Sequence, residues 1–221
     1  MKTVGIIGDR TTFRRNHNYY NAIEAFGVKT VPLMQTDWRE KIDETDGILI
    51  PGGCDIDPFL YGEEINGSIG INPGLDKMES EVLDHAVKNR LSVFGICRGM
   101  QLINVYFGGS LIQHLDNYRH HVWIGVNTDN AHEAEADPDS FIYHIYGEKK
   151  ISVNSAHHQA IKKTGTDIKP VLYSDDGIIE AVVHTGLPVF GVQFHPERMC
   201  LQNRRPDTVD GLKLFEYFVR M

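Results

Sequence analysis

The chain is short of cysteine, of positive charge and of long apolar runs, and each shortage removes a class of protein. Cys54, Cys97 and Cys200 are an odd number at wide spacing with no CxxC pair, so neither a disulfide framework nor a cysteine-rich zinc site is indicated, and a reducing compartment fits. With 22 Lys and Arg against 30 Asp and Glu, the formal net charge is -8. Such a chain repels a phosphate backbone and offers no polybasic patch to nucleic acid or to a membrane surface. No stretch approaches the roughly 20 apolar residues of a membrane span, and the start Met1-Lys2-Thr3-Val4-Gly5-Ile6-Ile7-Gly8 has too short an apolar run for a signal peptide. Internal repeats and low-complexity linkers are also missing. The expectation is a soluble, cytoplasmic protein whose partners are small molecules or other proteins. At 221 residues it can bury a sizeable core, and one domain over residues 1–221 is expected.

Short apolar runs bounded by Gly, Pro or Asp alternate with helix-like segments in the first half. Residues 4–7, 28–33, 47–50 and 91–96 read as buried strands, and 19–26 and 76–89 as helices. Val82, Leu83, Ala86 and Val87 form an apolar stripe of the kind a helix presents to a sheet. The alternation predicts an α/β fold, a three-layer sandwich with a mostly parallel central sheet flanked by helices. The second half differs. After a helix at 98–107, the segments 151–154, 177–184 and 189–194 read as strands, several joined by turns too short for crossover helices, so antiparallel additions to the sheet are expected. Residues 207–219 read as an amphipathic helix. Residues 113–147, polar, acidic and His-rich, read as a loop with short ribbons.

Chemistry concentrates in two segments. In Gly95-Ile96-Cys97-Arg98-Gly99 a strand gives way to a helix through a tight turn that lifts the Cys97 thiol above the sheet edge towards solvent. The free N–H groups and positive dipole end of the helix favour thiolate over thiol. The plain alternative is a small buried hydrophobe, which is how Cys54 and Cys200 are read. The second segment, Phe194-His195-Pro196-Glu197, follows a probable strand. If extended, it puts His195 and Glu197 on one face, so the carboxylate can orient the imidazole while its other nitrogen faces a thiol. A metal-binding His-x-Glu pair or a structural His-Pro turn are the alternatives, and no third metal ligand is spaced convincingly with it.

These residues resemble the class I glutamine amidotransferase superfamily and, within it, the γ-glutamyl-γ-aminobutyrate hydrolase group. Four segments carry the resemblance: Pro51-Gly52-Gly53-Cys54-Asp55-Ile56-Asp57-Pro58 with Tyr61-Gly62-Glu63; residues 95–104; Val153-Asn154-Ser155-Ala156-His157-His158-Gln159-Ala160; and Asp176-Gly177-Ile178-Ile179-Glu180 leading to Gly191-Val192-Gln193-Phe194-His195-Pro196-Glu197. The second and fourth are shared across the superfamily; the first and third point to the hydrolase group.

The resemblance implies a flavodoxin-like fold and a Cys97, His195, Glu197 triad. It also implies an oxyanion hole made of the backbone N–H groups of Gly53 and Arg98, and substrate contacts from Gly52, Gln101 and His157. Gln101 could equally be an ordinary helix-surface residue, and His158 is the alternative to His157. Asp55, Asp57 and Tyr61 lie on a loop that either shapes a leaving-group pocket or only turns and packs. His120, His121 and His132 are read as surface or structural. The implied activity is hydrolysis of a γ-glutamyl amide through a thioester on Cys97, with no metal and no organic cofactor. One rival is a glutaminase subunit delivering ammonia to a synthase partner; the other is a non-catalytic binding protein on the same fold. The amine released and the oligomeric state, a homo-oligomer included, are not written in the sequence.

Overall fold

The computed structural model describes residues 2–8, 11, 16–122 and 129–221. Its first half alternates strands and helices: β1 (Thr3–Ile7), α1 (His17–Glu24), β2 (Lys29–Leu33), α2 (Trp38–Lys41), β3 (Gly47–Ile50), α3 (Pro73–Lys88), β4 (Ser92–Ile96) and α4 (Arg98–Tyr106). The second half is strand-rich: β5 (Ser110–Ile112), β6 (Asn130–Ala136), α5 (Phe141–Tyr146), β7 (Lys150–Ser155), β8 (Ala160–Lys163), β9 (Ile168–Ser174), β10 (Ile179–His184), β11 (Val189–Val192) and α6 (Leu212–Arg220). Nine strands form one sheet in the order β2-β1-β3-β4-β11-β10-β9-β6-β7, and β5 with β8 makes a separate ribbon. Strands β2 to β11 in that order run parallel, and β10, β9, β6 and β7 are added antiparallel.

Every residue of β1, β3 and β4 is buried, because helices cover both faces and no side of these strands meets water. On one face Phe94 stacks on Phe190 with centroids 4.4 Å apart, and Phe215 and Phe218 of α6 pack edge-on or tilted against Phe94. On the other, Ile48, Ile50 and Val93 meet Val82 and Leu83 of α3 and Met100 and Ile103 of α4. Asn72 caps α3, its side chain accepting the Leu75 N–H at 3.1 Å, with Pro73 at the first helical position. No described helix is long and apolar enough to cross a membrane.

Two expectations need correction. Residues 113–147 are more than a loop: β6 pairs with both β7 and β9, and α5 buries Ile142. The apolar half of β6 is carried by Ala134 and Ala136, too small to mark a strand by hydrophobicity, so ladder pairing on both sides defines it. The last helix begins at Leu212 rather than 207, where the Asp210 side chain accepts the Leu212 N–H at 3.0 Å.

Candidate active site

Strands β4 and β11 lie side by side in register, Ile96 opposite Val192, and each leads into one half of the site. Beyond β4 the chain turns at Cys97, whose φ of 52° and ψ of -104° are unusual for a residue with a side chain. The turn is pinned by the Cys97 N–H donating to Val192 at 2.7 Å and the Gln101 N–H donating to Cys97 at 3.1 Å. Helix α4 then sits so close to β3 that a Cβ on Gly99 would lie 2.2 Å from the Ile50 carbonyl oxygen. The plus-two glycine is therefore a packing requirement of the elbow. Cys97 is 8% exposed, so the thiol is reached through a cleft and does not stand openly in solvent as its turn suggested.

Beyond β11, His195 is followed by a single turn of 3-10 helix, Pro196–Arg198. The segment is thus not extended as expected, yet the tight turn still brings Glu197 Oε1 to 2.8 Å from His195 Nδ1. Arg198 Nε donates to the same oxygen at 3.1 Å, and its Nη1 reaches Asp129 at 3.1 Å. The His195 N–H donates to Asn154 Oδ1 at 2.8 Å, and Asn154 Nδ2 donates to Asp129 at 2.8 Å. Both ring and carboxylate are buried. Burial and the Arg198 guanidinium lower the basicity of His195, but Glu197 and Cys97 outweigh them and raise its pKa to about 9. Burial raises the Glu197 carboxyl, and His195 and Arg198 more than offset it, leaving it below the ordinary value.

Gly52 lies between the two halves. A Cβ there would come 2.7 Å from His195 Cε1 and 3.5 Å from Cys97 Cβ, so only glycine lets the imidazole and thiol share one space. That space is a cavity of about 180 Å³ lined by Tyr19, Gly52, Gly53, Cys97, His195 and Arg198, among others. Arg98 opens α4, so its N–H has no partner within the helix. Its side chain does something separate: the buried guanidinium pairs with Asp76 and Glu79 of α3. Gln101 is buried and spans Gln193 Oε1 at 3.1 Å and the Gln159 carbonyl at 3.3 Å, while lining the cleft beside Cys97.

His157 and His158 both border that cleft. His157 Nδ1 meets the Gln159 carbonyl at 2.9 Å, and its other nitrogen faces Glu180 at 3.6 Å. His158 Nε2 meets Asp55 at 3.1 Å, and its Nδ1 meets His114 at 3.1 Å. Asp57 caps the following turn by accepting the Phe59 N–H, while Asp55 holds the Ile69 N–H at 2.7 Å. Burial, chiefly, pushes the Tyr61 hydroxyl up to about 12. The Cys200 thiol, outside the cavity, is likewise pushed up to about 12 by burial and by the carboxylates of Glu197 and Asp210. His121 and His132, read from sequence as surface or structural, converge with His157 on Glu180.

Four neighbours of the site escaped sequence reasoning. Gln193 Nε2 donates to Cys97 Sγ at 3.3 Å, and the Tyr19 hydroxyl accepts the Gly52 N–H at 3.2 Å. Asn154 and Arg198 support His195 and Glu197. Gln193 and Asn154 sit inside the recognised segments, so a signal existed; Tyr19 is one more aromatic on a helix, with nothing local to mark it.

The family model for peptidase C26 matches residues 7–197. The protein NtpR of Enterococcus hirae is 35% identical over 187 residues, covering 81% of this chain and 76% of that protein. The γ-glutamyl-γ-aminobutyrate hydrolase PuuD of Escherichia coli is 32% identical over 171 residues, 72% of this chain and 66% of that protein. Among solved structures, the glutaminase domain of Trypanosoma brucei CTPS with bound acivicin superposes with a TM-score of 0.69 over 100% of this chain and 94% of that one, at 16% identity; that likeness concerns the fold.

Proposed function

The chain belongs to the peptidase C26 family, and from that premise we propose that it is a cysteine hydrolase that cleaves a γ-glutamyl amide to glutamate and a free amine. One observation carries the reading: Glu197 engages Nδ1 of His195, so Nε2 is the nitrogen turned to Cys97 in their shared cavity. With its pKa near 9, the imidazole holds a proton at neutral pH that it can give to a leaving group.

The Cys97 thiolate attacks the γ-carbonyl carbon, and the oxyanion accepts the N–H groups of Gly53 and Arg98. As the tetrahedral species collapses, the C–N bond breaks and the His195 imidazolium gives its proton to the departing amine. His195 then takes a proton from water, the hydroxide adds to the thioester, and glutamate leaves as the thiolate returns. Arg198 borders both this cavity and a wider one of about 480 Å³ that Asp129, Arg204 and Arg205 also line. Arg198 and Arg205 already pair with Glu197, Asp129 and Asp207, while Arg204 donates to the carbonyls of Arg205 and Thr208; that guanidinium supports a leaving amine carrying an anionic group, as γ-aminobutyrate does.

The likeness to a glutaminase domain keeps one second reading: an ammonia-supplying subunit with glutamine as substrate. Glutamate release from a panel of γ-glutamyl amides, glutamine included, separates the two. The hydrolase reading expects turnover without any added protein, fastest for amines bearing a carboxylate or phosphate. It also expects Cys97→Ala to abolish turnover with circular dichroism unchanged. Activity that survives the substitution, or glutamine as the sole substrate and only with a synthase present, overturns it.

A further inference from the structure

We propose that His121, His132, His157 and Glu180 form a structural site for one divalent transition-metal ion, zinc by its ligand chemistry, in the antiparallel half of the molecule. The four residues come from separate segments: the turn after Tyr118–His120, β6, the loop after β7, and β10. One nitrogen from each imidazole and one oxygen of Glu180 all lie within 4.8 Å of one another. The Glu180 side chain is fully buried and those of His121 and His157 nearly so; the His132 side chain is 17% exposed.

Unsatisfied polarity at the centre points to a ligand. Among the described residues, His132 Nε2, His157 Nε2 and both Glu180 oxygens have no hydrogen-bond partner, though all are buried. His132 Nε2 and His157 Nε2 stand 3.3 and 3.6 Å from Glu180 Oε1 without the alignment of a hydrogen bond. Buried polar atoms are ordinarily paired, and leaving one unpaired is destabilising. Two ligands each at about 2.0–2.1 Å from a tetrahedral zinc are about 3.3 Å apart, which matches these separations. A proton shared between imidazole and carboxylate would instead call for a directed N–H···O contact.

The outer contacts match as well. Metal-bound histidines hold their second nitrogen against a carbonyl or carboxylate. Here His157 Nδ1 meets the Gln159 carbonyl at 2.9 Å, His132 Nδ1 meets the Glu133 carbonyl at 3.1 Å, and His121 Nε2 meets Asp176 at 2.8 Å. That leaves Nε2 of His132 and His157 for the ion, and Nδ1 of His121, which would exchange its 3.1 Å contact with the Ser155 hydroxyl. Three imidazoles and one carboxylate suit zinc and its neighbours, whereas calcium and magnesium take all-oxygen shells. Four protein ligands close the shell, so the ion ties the His157 wall of the cleft to β6 and β10 and takes no part in the reaction.

The test is metal content and binding of the whole protein. Protein stripped by chelator and titrated with zinc is expected to take up about one equivalent at micromolar metal, with a rise in Tm. Cobalt in its place should give the visible bands of a four-coordinate ion. X-ray absorption of the zinc-loaded wild type should show nitrogen and oxygen neighbours only. His132→Asn should weaken binding by more than the roughly 10–100-fold that loss of an outer contact costs. Cys97→Ala should bind as the wild type does, which separates this site from the thiol and imidazole of the proposed reaction. No stoichiometric uptake, a sulfur neighbour, loss of binding in Cys97→Ala or unchanged affinity in His132→Asn would each overturn the proposal.

Discussion

The parallel half of the sheet, β1 to β4 with β11, and the antiparallel half, β10, β9, β6 and β7, bury different things. Strands β1, β3 and β4 are almost wholly apolar, and the side chains that cover them are those of an oily core. The antiparallel half and its connections bury Asn154, Ser155, His157, Ser174 and Glu180. Cys97 follows one parallel strand and His195 the next; Gln193, Glu197, Arg198 and Tyr19 brace the site from the parallel half, and Asn154, with Asp129 behind it, from the antiparallel side. The parallel half thus supplies a rigid edge with one strained residue on it. Its partner supplies the Asn154 side chain that accepts the His195 backbone N–H and is itself held by Asp129, and a buried polar group of this kind is useful only when its partners are in place.

That contrast can be broken at several points, and Glu197 should show the largest effect. Glu197→Gln keeps the shape but removes the charge that holds His195 and Arg198, and kcat is expected to fall by about 10³–10⁴-fold with circular dichroism unchanged and Tm lowered; a loss in kcat below tenfold would remove the carboxylate from the reaction. In the parallel half the buried cluster of Arg98, Asp76 and Glu79 is testable through stability. Arg98→Met strands Asp76 and Glu79 in the interior and should lower unfolding stability by about 3–5 kcal/mol, read from urea midpoints, while the backbone N–H at that position is kept. A smaller effect is expected at Gln193. Gln193→Leu removes the donor to Cys97 Sγ, so the rate of thiol alkylation and kcat should fall about 10–100-fold with KM little moved.

The gentlest perturbation is pH. The folded pKa of His195, about 9, lies above its ordinary value of 6.5. Its contribution to stability is therefore full below about pH 6.5 and is lost as pH rises through 9. Tm should decline over that window in the wild type and less in His195→Asn, and kcat should show an alkaline limb near pH 9 as the proton for the leaving amine is lost. A flat profile to pH 10 would contradict the raised pKa.

Legibility followed the same division. The strands expected at 4–7, 28–33, 47–50 and 91–96 appear within a residue or so of their places; β1, β3 and β4 are covered on both faces and so are continuous apolar runs that need no partner to be recognised, while the edge strand β2 alternates between buried and less buried residues. Strand β6 was missed, since Asn130-Ala131-His132-Glu133-Ala134-Glu135-Ala136 has no large apolar residue and owes its conformation to neighbours distant in sequence. His195 and Glu197 were paired correctly in space through the wrong local geometry: the segment is a 3-10 turn, and proline's fixed φ suits the start of a helical turn as well as an extended chain. The Gly-x-Cys-x-Gly run was readable because the close approach of α4 to β3 at Gly99 and to β4 at Gly95 leaves a chemical mark, two missing side chains.

The sequence by itself determined the parallel framework, the elbow at Cys97 and the family, since these rest on local patterns: apolar runs, glycines around one cysteine, and a short His-Pro-Glu segment. Only the tertiary structure decided that Gln193 faces the thiol, that Tyr19 reaches Gly52, that the Arg98 side chain staples α3, and that three histidines and Glu180 meet. Those contacts join residues 22 to 96 positions apart in several cases. Burial gives them their meaning, because a polar side chain removed from water must find its partner wherever the fold has put one.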